Sequence, residues 1–328
     1  MTMGTIAVYG LLFSGLALTV LASLVFGAGS LRDDALASVF LSLRAQRLAA
    51  AAVVGAGLAV SGVLLQGLFR NPLADPGIIG TSAGAVLGGM VMVFVAALAP
   101  ALLPLPPALL LPLGAILGAM LSLALLLAVA KRCRDTTSVL LCGVVLAMFL
   151  AAIGAGLSAW AQGYWELSRA LMAFSLGGIE GKGWSQVAVA APLVVAPLLA
   201  AWLWWSRQLD VLLSGEDEAT SLGVDLARLR RWMIIWATLA VAGAVAIGGA
   251  IAFVGLIVPH LLRSWMGPAH RLLLPAAALG GMLFVMLCDL LLRLIPAANP
   301  VPLGVVTGLL GAPLFVVLLL RSRRELWT

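Results

Sequence analysis

The sequence predicts an all-α protein that crosses a membrane about ten times. Two observations carry this. Of the 328 residues, 63% are hydrophobic and only 10% charged, with a mean hydropathy of +1.16. A soluble domain of this size carries more charged surface than that. The apolar residues also fall into runs of about 20, enough for a helix to cross a hydrocarbon layer of about 30 Å. Connections are short, so the whole chain, 1–328, reads as one transmembrane domain with no room for a soluble domain of ordinary size.

The first run, Ile6–Phe26, is too long for a signal core and has no basic leader, so it reads as a retained span. Spans are expected near Thr5–Gly27, Leu48–Phe69, Ile78–Leu98, Leu109–Ala130, Val139–Trp160 and Val187–Trp205. Four more follow near Trp232–Ile251, Phe253–Met266, Leu272–Leu294 and Val301–Leu320. Only Gly248, Gly249 and Pro259 interrupt the stretch Trp232–Met266, so hydropathy also allows one span followed by a re-entrant piece.

Basic residues set the topology. With both termini inside, 13 of the 19 Lys and Arg residues lie on the inner side, Arg70, Lys131 and Arg228 among them. That bias predicts cytoplasmic termini and an even number of spans. The net charge of +6 contains no long basic run, so it reports topology and not nucleic-acid binding.

Small residues crowd the second span at Gly55, Gly57, Ala59, Ser61 and Gly62, and the fourth at Gly114, Gly118 and Ser122. Such rows let helices approach closely. Trp202, Trp204, Trp205 and Trp232 flank the largest inner loop as interfacial aromatics. Cys133, Cys142 and Cys288 are too few and too scattered for a disulfide framework or a metal cluster. His260 and His270 stand ten residues apart without an accompanying acid or Cys, so they read as structural or partner-facing.

Four stretches stand out from the apolar background. Arg70–Ala85, RNPLADPGIIGTSAGA, combines two prolines, three glycines and two hydroxyls between long apolar runs. By its residues alone it is a polar turn whose Arg70 and Asp75 mark a membrane boundary. The inner loop Ser206–Arg231 contains SGEDEATSLGVDLARLRR, with Ser214 as N-cap, acids in a first turn and a break at Gly223. Ile247–Pro275 and Asn299–Pro313 are Gly- and Pro-rich apolar segments.

In these four stretches the chain resembles the FecCD-type permeases, the membrane subunits of ATP-driven importers for haem, ferric siderophores and cobalamin. The likeness covers nearly the whole chain. Pro300 and Val301 depart from it, standing where the family usually has a glutamate-leucine pair.

The resemblance implies a type II ABC importer permease of ten helices in a bacterial inner membrane. It implies a homodimer with the path at its interface, two cytoplasmic ATPase subunits and a periplasmic binding protein. Gly215, Glu218, Ala219, Leu222 and Gly223 match the loop that engages the ATPase. Arg44, Arg47 and Arg293 match the outer side where the binding protein docks, although as residues they also serve as snorkelling anchors. Thr136, Thr137 and Ser138 match a cytoplasmic gate, and they equally suit a helix start. Arg169 aligns with a basic residue at the outer mouth that meets an anionic cargo, and it is also placed to pair with Glu166.

Haem is the first-choice cargo, followed by a ferric siderophore and then cobalamin. The chain lacks Gly-x-x-x-x-Gly-Lys-Ser/Thr, so ATP and magnesium belong to the partner ATPase and no cofactor is expected on this chain. An ion-coupled secondary transporter would need ionisable groups in mid-span. An intramembrane enzyme would need a His, carboxylate or nucleophile constellation at depth. Neither pattern is visible in the spans.

Overall fold

The computed structural model describes residues 3–26, 36–77, 80–99, 106–130, 136–294 and 301–325. All regular structure in them is helical. The first five helices are α1 (Met3–Val25), α2 (Ala37–Phe69), α3 (Thr81–Leu98), α4 (Pro107–Ala130) and α5 (Thr136–Trp160). A short α6 (Trp165–Leu176) precedes α7 (Trp184–Ala200), which continues through a π-helical turn, Ala201–Trp205, into α8 (Ser206–Leu212). Then come α9 (Glu216–Ser221), α10 (Leu226–Gly248), α11 (Val254–Met266), α12 (His270–Leu294) and α13 (Leu303–Glu325).

Eight helical stretches among the described residues are long and apolar enough to cross a membrane, and α13 adds a shorter apolar stretch, Leu303–Val317. With α11 these are roughly consistent with the ten or so membrane helices the sequence predicts. The eighth takes the re-entrant form that hydropathy also allowed: α11 has 13 residues, or about 20 Å of helix, against a hydrocarbon layer of about 30 Å. It is a half-span. Two other boundaries move. The second span begins at Ala37, eleven residues before the expected Leu48. The outer loop around Arg169 is itself the helix α6.

The bundle is built around α2. From Val54 to Leu68 every residue of α2 is buried, including Ser61 and Gln66. Apolar side chains alone would not hold helices together in lipid, so close backbone approach and hydrogen bonds must do it. The α2–α12 crossing supplies the first: a Cβ on Gly55 would strike the Gly281 backbone, and one on Gly281 would strike the Gly55 carbonyl. Gln66 supplies the second. It is 2% exposed, donates Nε2 to the Gly255 and Leu256 carbonyls at 3.1 and 3.3 Å, and accepts from Arg263 Nη1 at 3.0 Å. One amide thus pins the half-span α11 to α2.

A second helix pair stands beside this core. Gly114 and Gly118 of α4 meet Gly88 and Gly84 of α3, so the four-residue spacing predicted for packing is used for packing. The α3–α4 pair closes onto Val241, Ala242, Val245 and Ala246 of α10.

The break between α10 and α11 is held by backbone bonds. Ala250 N–H donates to the Phe174 carbonyl at 3.3 Å, and Gly178 N–H to the Gly248 carbonyl at 2.8 Å. Phe253 caps α11 with φ 68°, a left-handed conformation that a bulky residue adopts only under surrounding constraint. Asp75 reaches this region too. Its Oδ1 accepts from Gly77 N–H at 2.8 Å, and it lines a small cavity with Gly255 at the start of α11. The Arg70–Ala85 run is therefore not a polar turn at a boundary: Arg70 is, but Ala74, Pro76 and Thr81 turn back into the packed interior.

Candidate functional site

Three regions carry the residues singled out by sequence. The first is a groove between α3 and α5 with a volume of about 580 Å³. Ser82, Val86 and Met90 form one wall, Leu150, Gly154 and Ser158 the other, and Gln162 and Ser175 also line it. Among the described residues no charged side chain lines it. A wall of small, neutral groups offers a bulky solute contact without a deep well. Sequence reasoning named no pathway residues; the signal that could have found them is the Gly154–Ser158 spacing, which keeps one face of α5 free of bulk.

The helix that walls the groove also carries Thr136, Thr137 and Ser138 at its start. From Ser138 to Gly154 is 16 residues, or about 24 Å of helix. These hydroxyl residues lie at the far end of the element that forms the groove. Asp135, their neighbour in sequence, lies outside the described residues.

The second region is a charged mouth of about 390 Å³ lined by Arg47, Arg169, Glu180, Lys182 and Asp289. Asp289, 1% exposed, is its anchor: it accepts from Arg47 Nε at 2.7 Å and Arg293 Nε at 2.8 Å, and it also pairs with Arg293 Nη2. Arg47 reaches on to Glu180 at 3.2 Å. Arg293 Nη1 donates to the Ser23 carbonyl at 3.3 Å. Arg44 is 5% exposed and donates Nη1 to the Leu24 and Val25 carbonyls at 2.6 and 2.9 Å, closing the end of α1.

The three arginines are thus gathered at one end of the bundle as the sequence groups them, but Arg44 and Arg293 are turned inward. A guanidinium that satisfies carbonyls at a helix end removes the cost of leaving them bare in a poor solvent. Arg47 keeps 24% of its side chain exposed. Arg169 is exposed on α6 and forms no ion pair among the described residues, with Glu166 or any other acid. Lys182 is unpaired as well, and partial burial pushes its ammonium pKa down.

The third region is the opposite end. Here α9 is capped at Gly215, whose φ of 135° is accessible to glycine, and not at the expected Ser214. Ala219 is buried and anchors the short helix, while Glu218 and Leu222 face outward. Gly223, φ 86°, turns the chain, and Asp225 caps α10 by accepting from Arg228 N–H at 2.9 Å. Glu216 ties the loop to Arg230 at 2.6 Å and to Arg70 at 3.9 Å. His270 is fully buried, and its backbone N–H and its Nδ1 both meet Asp210 Oδ1 at 2.7 Å. It is a structural link from α8 to α12, and among the described residues no His, Cys, Asp or Glu cluster suits a metal.

Residues 4–321 match the FecCD transport family. The chain belongs to that family. Members are membrane permease subunits of ABC importers, with ATP hydrolysis in a separate subunit. This FecCD chain is 36% identical over 294 residues to the hemin transport system permease protein HmuU of Yersinia pestis, covering 89% of this chain and 86% of that protein. It is 41% identical over 293 residues to the Fe(3+) dicitrate transport system permease protein FecD of Escherichia coli, covering 87% and 86%. It is also 41% identical over 287 residues to the vitamin B12 import system permease protein BtuC of Vibrio parahaemolyticus, covering 87% and 83%. Among solved structures, a metal-chelate type ABC transporter in an inward-facing conformation superposes with a TM-score of 0.83 at 32% identity, covering 96% of this chain and 99% of that one.

Proposed function

We propose that this permease carries haem from a periplasmic binding protein to the cytoplasm, in a bacterial inner membrane, with both termini cytoplasmic. The observation that supports it is the uncharged α3–α5 groove, with hydroxyl residues at one end of α5 and a cationic mouth at the other end of the bundle. Among the described residues Arg169 and Lys182 stand unpaired at that mouth, two cations for the two propionates of one haem. A charged hydrogen bond between guanidinium and carboxylate is directional and strong enough to orient an arriving ligand. The neutral groove beyond it then holds the macrocycle only weakly.

The groove is walled on one side by α5, whose Leu141, Val145, Met148 and Phe149 are each at least 60% exposed. A second copy packed on this face would enclose the path, so the transporting unit is a homodimer of one-domain permeases. Two ATPase subunits bind the Gly215–Gly223 loops, where Glu218 and Leu222 are free to meet them. They bring the ATP and magnesium; this chain holds no cofactor. The binding protein docks on the opposite end at Arg47, with Arg44 and Arg293 setting the helix ends beneath it. Thr136, Thr137 and Ser138 form the cytoplasmic gate, and nucleotide binding shifts the population between the two openings.

The test is uptake in proteoliposomes holding the permease and its ATPase. Haem-loaded binding protein is supplied on the Arg47 side and ATP on the Glu216 side. Haem accumulation that depends on ATP is the expected result. Accumulation of a ferric siderophore or of cobalamin, with none of haem, would overturn the cargo and leave the importer in place.

A further inference from the structure

The end that carries α9 holds a further cavity, whose rim includes Leu222 and Gly223 of the loop assigned to the ATPase. Its volume is about 750 Å³, and it lies between the π-helical turn after α7 and the first turns of α10. Single π turns inside longer helices recur at functional sites, because the extra residue shifts the side chains that follow. Here the turn places Trp204 outward, 68% exposed beside Leu203 at 58%. Behind it, Trp205 and Trp232 stand 6.5 Å apart, and Trp232 and Trp236 stack at 5.6 Å.

Two guanidiniums flank these rings. Arg207 and Arg228 both line the cavity, both are exposed, and neither makes a side-chain hydrogen bond or ion pair among the described residues. Asp225 is the one acid in the lining, and it is engaged by the Arg228 backbone N–H. A third observation is independent of charge. The Trp236 indole Nε1 is buried with no acceptor, an unusual state for a donor in the interior. On the far side of Trp204 a recess of about 390 Å³ brings Arg271, also unpaired, toward Arg207.

We propose that this cavity binds the phosphate headgroup of an anionic phospholipid. Arg207 and Arg228 grip the phosphate, Trp236 Nε1 donates to one of its oxygens, and the acyl chains leave along Leu203 and Trp204. Tryptophans of this kind sit at the headgroup level of a bilayer, and guanidinium matches phosphate geometry. Trp204, Trp205, Arg207, Trp232 and Trp236 belong to the membrane-crossing stretches Trp184–Leu212 and Leu226–Gly248, so the molecule that reaches this side of the cavity is lipid.

The test uses the full-length permease in nanodiscs of equal phosphatidylcholine and phosphatidylglycerol, released for native mass spectrometry. Phosphatidylglycerol adducts should exceed phosphatidylcholine adducts about fivefold. Arg207→Gln with Arg228→Gln should bring that ratio near one, and Trp236→Phe should lower it while keeping the ring. An unchanged elution profile shows that the variants fold, and the single Arg228→Gln serves if the double variant does not. Equal retention of the two lipids by the unaltered protein would overturn the proposal. So would a ratio unmoved by these substitutions, or stabilisation by inorganic phosphate alone equal to that by phosphatidylglycerol.

Discussion

Replacing Gly114 by alanine should separate α4 from α3 and shift a wall of the groove. A Cβ at Gly114 would stand 2.6 Å from the Gly88 carbonyl oxygen and 2.8 Å from Met92 Cβ. Ordinary contact begins near 3.4 Å, so the helices must part by about 0.8 Å. The obstacle is backbone, which cannot swing aside as a long side chain would. Overpacking of this kind costs about 1–3 kcal/mol. Alanine also has the better helix propensity by about 1 kcal/mol, which masks part of the cost. Gly10→Ala is the internal control, because nothing lies within 4 Å of a Cβ there. Denaturation of the purified permease in detergent should therefore show Gly114→Ala less stable than Gly10→Ala by about 1–3 kcal/mol. Because α3 carries Ser82, Val86 and Met90 of the groove, ATP-driven uptake should fall in Gly114→Ala and not in the control. Equal stability and equal uptake in the two variants would refute the close backbone contact as the organiser of this wall.

Three further outcomes are expected. Asp289→Asn leaves Arg47 and Arg293 without their shared carboxylate and should destabilise the permease by about 3 kcal/mol, the low end for a broken buried pair because Arg47 is partly exposed; thermal inactivation in detergent measures it, and an unchanged midpoint would sink the bracing role. Glu218→Arg should leave the protein inserted while cutting uptake about tenfold, the loss of one charge-assisted contact with the ATPase; co-purification of the ATPase and uptake, both unchanged, would remove Glu218 from the interface. Arg169→Ala should slow haem transfer from its binding protein about two- to fivefold, since an exposed charged contact is worth less than the roughly 1.5–3 kcal/mol of a well-formed one; a rate equal to wild type would take Arg169 out of the hand-over.

Much of the site was legible as residue types without their partners. The sequence grouped Arg44, Arg47 and Arg293 at one end, and the bundle puts them there. Asp289 was visible only as a neighbour of Arg293, because nothing local indicates that a helix 242 residues away supplies the second guanidinium. Gln66 drew no notice in an apolar run, since its acceptors lie on α11. The break at Gly215 was missed in favour of Ser214, because a serine side chain advertises a cap and a left-handed backbone does not. His260 and His270 read as structural or partner-facing, and the buried contact to Asp210 makes His270 structural.

The sequence by itself determined the helical class, the approximate number of membrane helices and the family. Apolar length and residue order express these directly: a run of about 20 apolar residues has few alternatives in a bilayer. Tertiary structure alone decided that α11 is a half-span, that α6 is a helix, and that two of the three outer arginines turn inward. It also decided that a neutral groove runs between α3 and α5. Each of these depends on which helix faces which, and in lipid that choice is made by close backbone contact and by hydrogen bonds between distant segments. Hydropathy along one chain does not record such pairings.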